Sequence, residues 1–498
     1  MSSNSKYHRG RRHTGNHATR VEKSQGSDVG RFIGRVVSII QLMVSAAFVL
    51  VLWNSGLLPS KYLIAVAAVL VVLFIVTFVL QFPKNRAFIV GIVISVIISI
   101  TLGLGLYYLS TTNSMLEEIS GAKYKTDNMV VVVLNDDPAQ SLDDAKDYVF
   151  GTQTAMDTEN TKVMTDEVEK ELGQSIQVKE YSSMTELAQA ILSGDVNAGI
   201  YNESLESIAA DTVEEYYGAT RVIYQHGIES EMEEEQTGDI SKSFSVFISG
   251  IDVSGPISTN SRSDVNIIMT VNPDTKKILL TTTPRDYYVE IPGVSGGAKD
   301  KLTHAGIYGV DASMRTLSNL YGIDIDYYAR VNFDSVVKIV DAVGGVTVDS
   351  EEAFTTTVGN FTINQGSNTL NGNQALAFCR ERYNVSGGDN QRGKNQQKVI
   401  TAILQKMMSP ALLTSFNSIV SGVEGSVQTN MTHDEMQQLV SGQLATGVNY
   451  DIQSVAAEGT GGSDVCFSTG SQALYVTYPD DASIAGIKEA MNNVINGQ

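Results

Sequence analysis

The sequence predicts an α/β protein on a membrane anchor, with three N-terminal transmembrane helices, a small α/β accessory domain and a larger α/β domain. Three observations predict it. The apolar runs Val36–Trp53, Tyr62–Phe82 and Ala87–Leu109 each approach the ~20 residues that cross a bilayer. Short strand and helix patterns then alternate from residue 127 onward, as they do in α/β folds. Clusters of Arg, Asp, Lys and Gln with mutual spacing begin only after Ser243.

Residues 1–31 are polar and basic, with almost no large apolar side chains, and read as a disordered cytoplasmic tail. Over the first 35 residues Lys6, Arg9, Arg11, Arg12, Arg20, Lys23, Arg31 and Arg35 stand against only Glu22 and Asp28. A DNA-binding arm would use such charges, but a positive-inside signal explains them more simply. The chain as a whole carries a net charge of −20, which argues against a nucleic-acid partner. Lys84 and Arg86 in the second loop place that loop inside as well, so three spans over 32–110 put everything after them outside the cell. No charge lies within the apolar runs, so they read as an anchor of a multi-pass cell-membrane protein rather than a transport path.

Residues 111–126 read as a linker and 127–240 as the accessory domain. Its expected strands are Met129–Leu134, Ile176–Tyr181, Ala198–Tyr201 and Arg221–Tyr224, and its helices Thr161–Leu172 and Met184–Leu192. It shows no chemistry-bearing constellation and reads as a packing or partner-docking domain that ends in an acidic linker, Glu229–Thr237. The only cysteines, Cys379 and Cys466, have no metal-type spacing and are candidates for a single disulfide.

The domain over 243–498 opens with a strand, Phe244–Ile248, leading to Asp252. A hairpin follows, Val265–Val271 and Lys277–Thr283, turning at Asn272-Pro273-Asp274-Thr275. A hairpin returns its ends to one place, so Arg262 and Asp264 at its start meet Arg285 and Asp286 at its exit. Asp252 and Asp264 are candidates for a shared hard cation, since Mg²⁺ takes one or two carboxylates plus substrate phosphates. Lys301 in Lys301-Leu302-Thr303-His304 is placed to reach a phosphate, and His304 reads as structural rather than as a base. Helices are expected at Asp311–Leu320, Phe333–Ala342, Lys394–Met408 and Asp481–Ile495, with another begun by the capping box Thr432–Glu435.

The most informative stretch is Phe378–Gln397. Phe378–Tyr383 reads as a strand that sets Arg380 and Arg382 side by side with Glu381 on the opposite face. Gly387-Gly388-Asp389-Asn390 reads as a turn, and Arg392 and Gln396 then share one helical face. Guanidinium forks gathered in this way call for an anion between them, and their planar geometry matches phosphate oxygens. The cluster points to a phosphate or pyrophosphate site.

In order, Asp252, Arg262-Ser263-Asp264, Asn272-Pro273, Pro284-Arg285-Asp286, Lys301-Leu302-Thr303-His304, Asn332-Phe333, Val343-Gly344-Gly345, Arg380-x-Arg382 and Gly388-Asp389…Arg392…Gln396-Gln397 resemble the LytR-CpsA-Psr family of cell-wall glycopolymer ligases. Three spans with an acidic accessory domain resemble its capsule-type branch. The resemblance implies an α/β/α domain on a central mixed sheet, with an apolar pocket for a polyprenyl tail and pyrophosphate at its mouth. It implies pyrophosphate contacts from Arg262, Arg285, Arg380, Arg382, Arg392 and Gln396, and a Mg²⁺ (or Mn²⁺) site on Asp252 and Asp264. It further implies transfer of a capsular or teichoic-acid-like polymer from an undecaprenyl-pyrophosphate carrier to a peptidoglycan sugar hydroxyl, releasing undecaprenyl phosphate. Arg285 would neutralise the leaving phosphate, and Asp264 or Asp286 would take the hydroxyl proton. Capsule-assembly proteins would be further partners. Three positions depart from the family pattern: Thr283 before Pro284, Gly306 after the His-Ala pair, and Cys379. The alternative is a membrane-bound regulator or lipid-sensing scaffold of envelope biosynthesis without catalysis.

Overall fold

The computed structural model describes residues 18–83, 86–122, 124–232, 238–251, 257–409, 419, 422 and 425–498. The first unit holds α1 (Ala18–Asn54), α2 (Ser60–Val79) and α3 (Ala87–Ile119) as far as Ser114. Helices over 28–54, 60–79 and 87–114 are long and apolar enough to cross a membrane. Polar side chains tie them together, as expected where water cannot compete. Thr77 Oγ1 donates to Gln41 Oε1 at 2.8 Å, and the Ser38 and Ser95 hydroxyls meet at 3.4 Å. Two expectations are corrected here. Helix α1 begins inside the tail read as disordered, whose residues 1–17 lie outside the described residues. The linker expected at 111–126 is instead the end of α3 and the start of a strand at Tyr124.

The accessory domain contains β1 (Tyr124–Leu134), β2 (Val149–Gln153), α4 (Thr158–Leu172), β3 (Gln177–Tyr181), α5 (Met184–Ser193), β4 (Ala198–Asn202), α6 (Glu206–Thr212) and β5 (Thr220–Glu231). The sheet order is β3-β2-β4-β1-β5. Both faces of β1 are covered, which is why Met129–Leu134 is apolar without alternation. Val130 and Val132 pack with α5 and α6, and Met129, Val131 and Val133 with α4. Strand β2 escaped the sequence reading because Gly151 interrupts it, yet a Cβ there would lie 2.5 Å from Leu187. Strand β5 runs through Glu229–Glu231, so the expected acidic linker begins as strand; residues 233–237 lie outside the described residues.

The larger domain contains β6 (Phe244–Ile251), β7 (Ser263–Asn272), β8 (Lys277–Thr282), α7 (Val310–Tyr321), β9 (Tyr327–Val331), α8 (Phe333–Ala342), α9 (Gly372–Arg380), α10 (Gly388–Met407), β10 (Val427–Thr429), α11 (His433–Thr446), β11 (Asp451–Ala456) and α12 (Asp481–Ile495). Its mixed sheet runs β10-β9-β6-β7-β8-β11, with β6/β9 and β8/β11 parallel. Successive strand residues point to opposite faces. Phe247, Ile268 and Leu279 therefore pack with α7 and α12, while Val246, Ile267 and Ile278 pack with α10 and α11. This is the expected α/β/α arrangement. The capping box forms as read, Glu435 accepting from the Thr432 amide at 2.8 Å. The Gly/Ser-rich stretch Gly459–Val465 pairs antiparallel with Ala473–Pro479. Cys379 and Cys466 are free thiols, not a disulfide, and burial pushes each up to about 12.

The accessory domain grips the segment that leads into β7. The Thr126 amide donates to the Ser258 carbonyl at 3.0 Å, and the Asn260 amide donates to the Thr126 carbonyl at 2.9 Å. Asn260 Nδ2 donates to Asp127 Oδ1 at 3.0 Å. From the sheet side Arg330, 1% exposed, donates to the Ser258 and Thr259 carbonyls at 3.3 and 2.9 Å. Burial pushes this guanidinium down to about 10.

Candidate functional site

The β7–β8 hairpin builds the first half of the site. Asn272 Oδ1 accepts the amides of Asp274 and Thr275 at 3.0 Å each, closing the turn. The register Ile267 opposite Thr282 brings Asp264 and Arg285 to the same open end. Arg285 Nη1 donates to Asp264 Oδ1 at 3.0 Å, and Thr303 Oγ1 donates to the same oxygen at 3.2 Å. Burial works to raise the Asp264 pKa, but Arg285, then Arg392 and Arg262, outweigh it and hold the carboxyl below its ordinary value. Burial disfavours the Arg285 cation, yet Asp264 and Asp286 more than offset that and raise its pKa.

Asp286 and Lys301 neutralise each other: Lys301 Nζ lies 3.2 Å from Asp286 Oδ1, and Arg285 Nε lies 3.7 Å from Asp286 Oδ2. Neither Asp286 nor Lys301 lines the cavity described below. Arg262 also turns away. Its Nη2 donates to the Ser207 carbonyl and to Asp211 Oδ2, both at 2.6 Å, on α6. His304 is fully buried, with Nδ1 2.6 Å from Asp300 Oδ1 and 3.0 Å from Ser468 Oγ, so the structural reading stands. His304→Ala is expected to take one partner from buried Asp300, which keeps the Lys301 and Ser468 amides, and to cost about 1–3 kcal/mol of stability, measured by denaturant titration. Turnover per folded molecule is expected to stay unchanged.

The second half comes from α8, α9 and α10. The expected strand Phe378–Tyr383 is a correction: Phe378–Arg380 end helix α9, and Glu381 leaves it in extended backbone. Asn371 caps α9 with Gln374 returning the bond, a capping-box signal that was present in the sequence. Arg380 stacks on the Phe333 ring at 4.1 Å, and Arg382 on Tyr383 at 4.8 Å. Glu381, 2% exposed, accepts the amides of Arg382, Tyr383 and Asn384 at 3.0, 2.8 and 3.0 Å and so fixes the turn between the two arginines. Helix α10 starts at Gly388, six residues before its expected start at Lys394, after Gly387 with φ 94°. Arg392 and Gln396 share a face as expected. Arg392 pairs with Asp389 at 2.7 Å, and Gln396 donates to the Cys379 carbonyl at 3.3 Å. Burial together with nearby Arg285 and Arg382 outweighs Asp389 and lowers the Arg392 pKa.

These elements surround a cavity of about 260 Å³. Arg285, Arg380, Arg382, Arg392, Gln396 and Asp264 supply its polar wall, and Val265, Phe333, Val358 and Ala377 an apolar one. Four arginines line it together with two carboxylates, Asp264 and Glu381, and the Glu381 oxygens are turned to backbone amides. A smaller cavity of about 30 Å³ shares Asp264, Arg285, Arg392 and Gln396 and adds Asn266, whose buried Oδ1 has no partner within the protein. Thr303, Phe333, Glu381 and Asp389 belong to the site, although the sequence reading gave them no role in it.

Asp252 lies outside the described residues. Among the described residues no group of three or more His, Cys, Asp or Glu side chains stands ready for a metal. Asp264 and the unpartnered Asn266 oxygen are hard donors, and they suit Mg²⁺ or Mn²⁺ when phosphate oxygens complete the shell.

Two of the family departures have physical reasons. Thr283 and Tyr321 hydroxyls pair at 2.8 Å. At Gly306 a Cβ would come within 2.5 Å of the Ser261 carbonyl, so the backbone crossing above it excludes any larger residue.

Comparison with known proteins places this arrangement. The chain is 36% identical over 207 residues to the polyisoprenyl-teichoic acid–peptidoglycan teichoic acid transferase TagU of Oceanobacillus iheyensis, covering 40% of this chain and 62% of that relative. It is 32% identical over 254 residues to the protein of the same name from Bacillus licheniformis, covering 51% of this chain and 78% of that one. Among solved structures, B. subtilis TagV aligns over 51% of this chain and 98% of its own, at 26% identity and a TM-score of 0.45. A model described as DNA polymerase processivity factor matches residues 84–200, which starts before the third apolar helix and covers under a quarter of the chain. The LytR_cpsA_psr family model matches residues 212–493, more than half of the chain and all of the site, and the chain belongs to that family.

Proposed function

We propose that the chain is a phosphotransferase that moves a glycopolymer, teichoic-acid-like or capsular, from an undecaprenyl-pyrophosphate carrier to a peptidoglycan sugar hydroxyl. The observation that carries the reading is the cavity lined by four arginines and only two carboxylates, Asp264 and Glu381. Such a site is electrostatically incomplete without a polyanion. The relatives named as transferases of polyisoprenyl-linked teichoic acid to peptidoglycan support the same class of reaction.

In the proposed step the acceptor hydroxyl oxygen bonds to the phosphorus that stays with the polymer. The bridging P–O bond breaks, and its electron pair leaves with undecaprenyl phosphate. Arg285, Arg380, Arg382 and Arg392, with Gln396, hold the pyrophosphate and neutralise the charge gathering on the leaving oxygen. Phosphoryl transition states are loose, so little charge builds on the nucleophile and a weak base suffices. Asp264, ionised and fixed beside Arg285, takes the proton, while Asp286 orients Arg285 and Lys301. A Mg²⁺ held by Asp264, with Asp252 in the resemblance, would add neutralising charge. The three apolar helices hold the site near its lipid, with the tail cytoplasmic and the two folded domains outside.

The test uses the full chain purified in detergent from a host containing polyprenyl lipids. Its extract is expected to contain polyprenyl phosphate or pyrophosphate by mass spectrometry, and Arg380→Ala to lose it. Lipid-linked donor and peptidoglycan fragments are expected to give ligated polymer. Lipid without transfer would favour a sensor or scaffold, and absence of lipid would overturn the site.

A further inference from the structure

Arg262 immediately precedes β7, two residues before Asp264, and its charge helps to lower the pKa of that carboxylate, so the guanidinium lies within electrostatic reach of the site. The cavity is nevertheless lined without it. Its Nη2 is taken by two acceptors of the accessory domain, the Ser207 carbonyl and Asp211 Oδ2, each at 2.6 Å. Its Nε is buried and unpartnered, so the guanidinium fork is only part satisfied. The Arg262 and Asp211 side chains are 17% and 32% exposed, which makes the pair reachable and exchangeable. Solvent reaching a partly exposed pair such as this weakens it, whereas a phosphate engages a guanidinium through two parallel bonds.

We propose that Asp211, with the Ser207 carbonyl, is a positioning residue that holds Arg262 out of the cavity, so that bound pyrophosphate and the accessory domain compete for one guanidinium. The inference rests on the phosphate reading above. It gives the accessory domain a role in the reaction without any chemistry of its own. Whatever loosens α6 from β7 releases a cation to the site, and whatever fills the site with phosphate loosens α6. The coupling is reciprocal, as any linkage between two binding events must be.

The test is calorimetric titration of the full chain in detergent with geranylgeranyl pyrophosphate and Mg²⁺. Asp211→Asn is expected to tighten binding about fivefold or more, within the usual range of such couplings. In the Arg262→Ala background the same substitution is expected to have no effect, a non-additivity that marks direct coupling. Glu214→Gln removes the same charge from the neighbouring turn and is expected to leave affinity unchanged. An anchor with only a structural role would not yield a gain in affinity on being cut. The proposal is overturned if Asp211→Asn binds no more tightly, or if its gain persists without Arg262. Failure of the underlying reading looks different: the wild type then binds no pyrophosphate, or Arg285→Ala binds as well as wild type, and the proposal falls with it.

Discussion

Arg285→Ala is expected to lower kcat/KM for polymer transfer about 10³-fold, the loss typical of one preorganised charge stabiliser. It should also change the pH dependence of stability. In the wild type Asp264 has a depressed folded pKa, so the stability it contributes is present above its unfolded pKa, near 4, and is lost as pH falls through the folded value. Without Arg285 its largest stabilising neighbour is gone and burial, which raises the pKa, gains the upper hand. The charged carboxylate then costs stability at pH 7, by about 2–3 kcal/mol, and the deficit shrinks as pH falls toward 4. Denaturant titrations of both proteins from pH 3.5 to 8 measure this directly. Adding Asp264→Asn should recover the stability and leave transfer lost. A constant deficit across that range would mean that the Asp264–Arg285 pair does not set the charge state of the site.

The second large effect is expected from Glu381→Ala. This carboxylate does not face the ligand; it accepts three consecutive amides, Arg382, Tyr383 and Asn384, and the hydroxyl of Thr357. Burial raises its pKa, but the amides of Asn384, Thr357 and Tyr383 outweigh that and lower it. Removing it leaves several buried donors unpaired at about 1–3 kcal/mol each, tempered by water that can enter, for a loss of about 2–4 kcal/mol. Because it frames the turn between Arg380 and Arg382, kcat/KM per folded molecule should also fall by about 10–10²-fold, as for other small misplacements of a positioned group. Calorimetry and transfer assays on the same preparation separate the two losses. Unchanged turnover in a destabilised variant would show that the arginine geometry does not depend on this turn.

The parts of the fold that are legible from sequence are those with local causes. The Asn272-Pro273 turn and its flanking apolar strands suffice to set Asp264 against Arg285, and helical spacing suffices to set Arg392 beside Gln396. The alternation Arg380-Glu381-Arg382 misleads, because a period of two also arises where a helix ends and the chain turns; Asn371 and Gln374 are the better guide. Charge assigns Lys301 to the phosphate, and the family resemblance assigns Arg262 to it. Their actual partners, Asp286 and Asp211, are chosen by tertiary packing, and Asp211 lies 51 residues away in another domain. Nothing in the local pattern around Arg262 could reveal that carboxylate.

The buried Arg330 has an evolutionary consequence. Its carbonyl partners at Ser258 and Thr259 sit in the segment that β1 holds from the other side, and Asn260 joins that segment to Asp127. A lineage that deleted the accessory domain would leave this segment unsupported around a desolvated cation, and one that lost Arg330 would leave carbonyls and Asn260 without their donor. In this chain the two domains are therefore not interchangeable modules: a descendant that lost the accessory domain is expected to lose Arg330 with it.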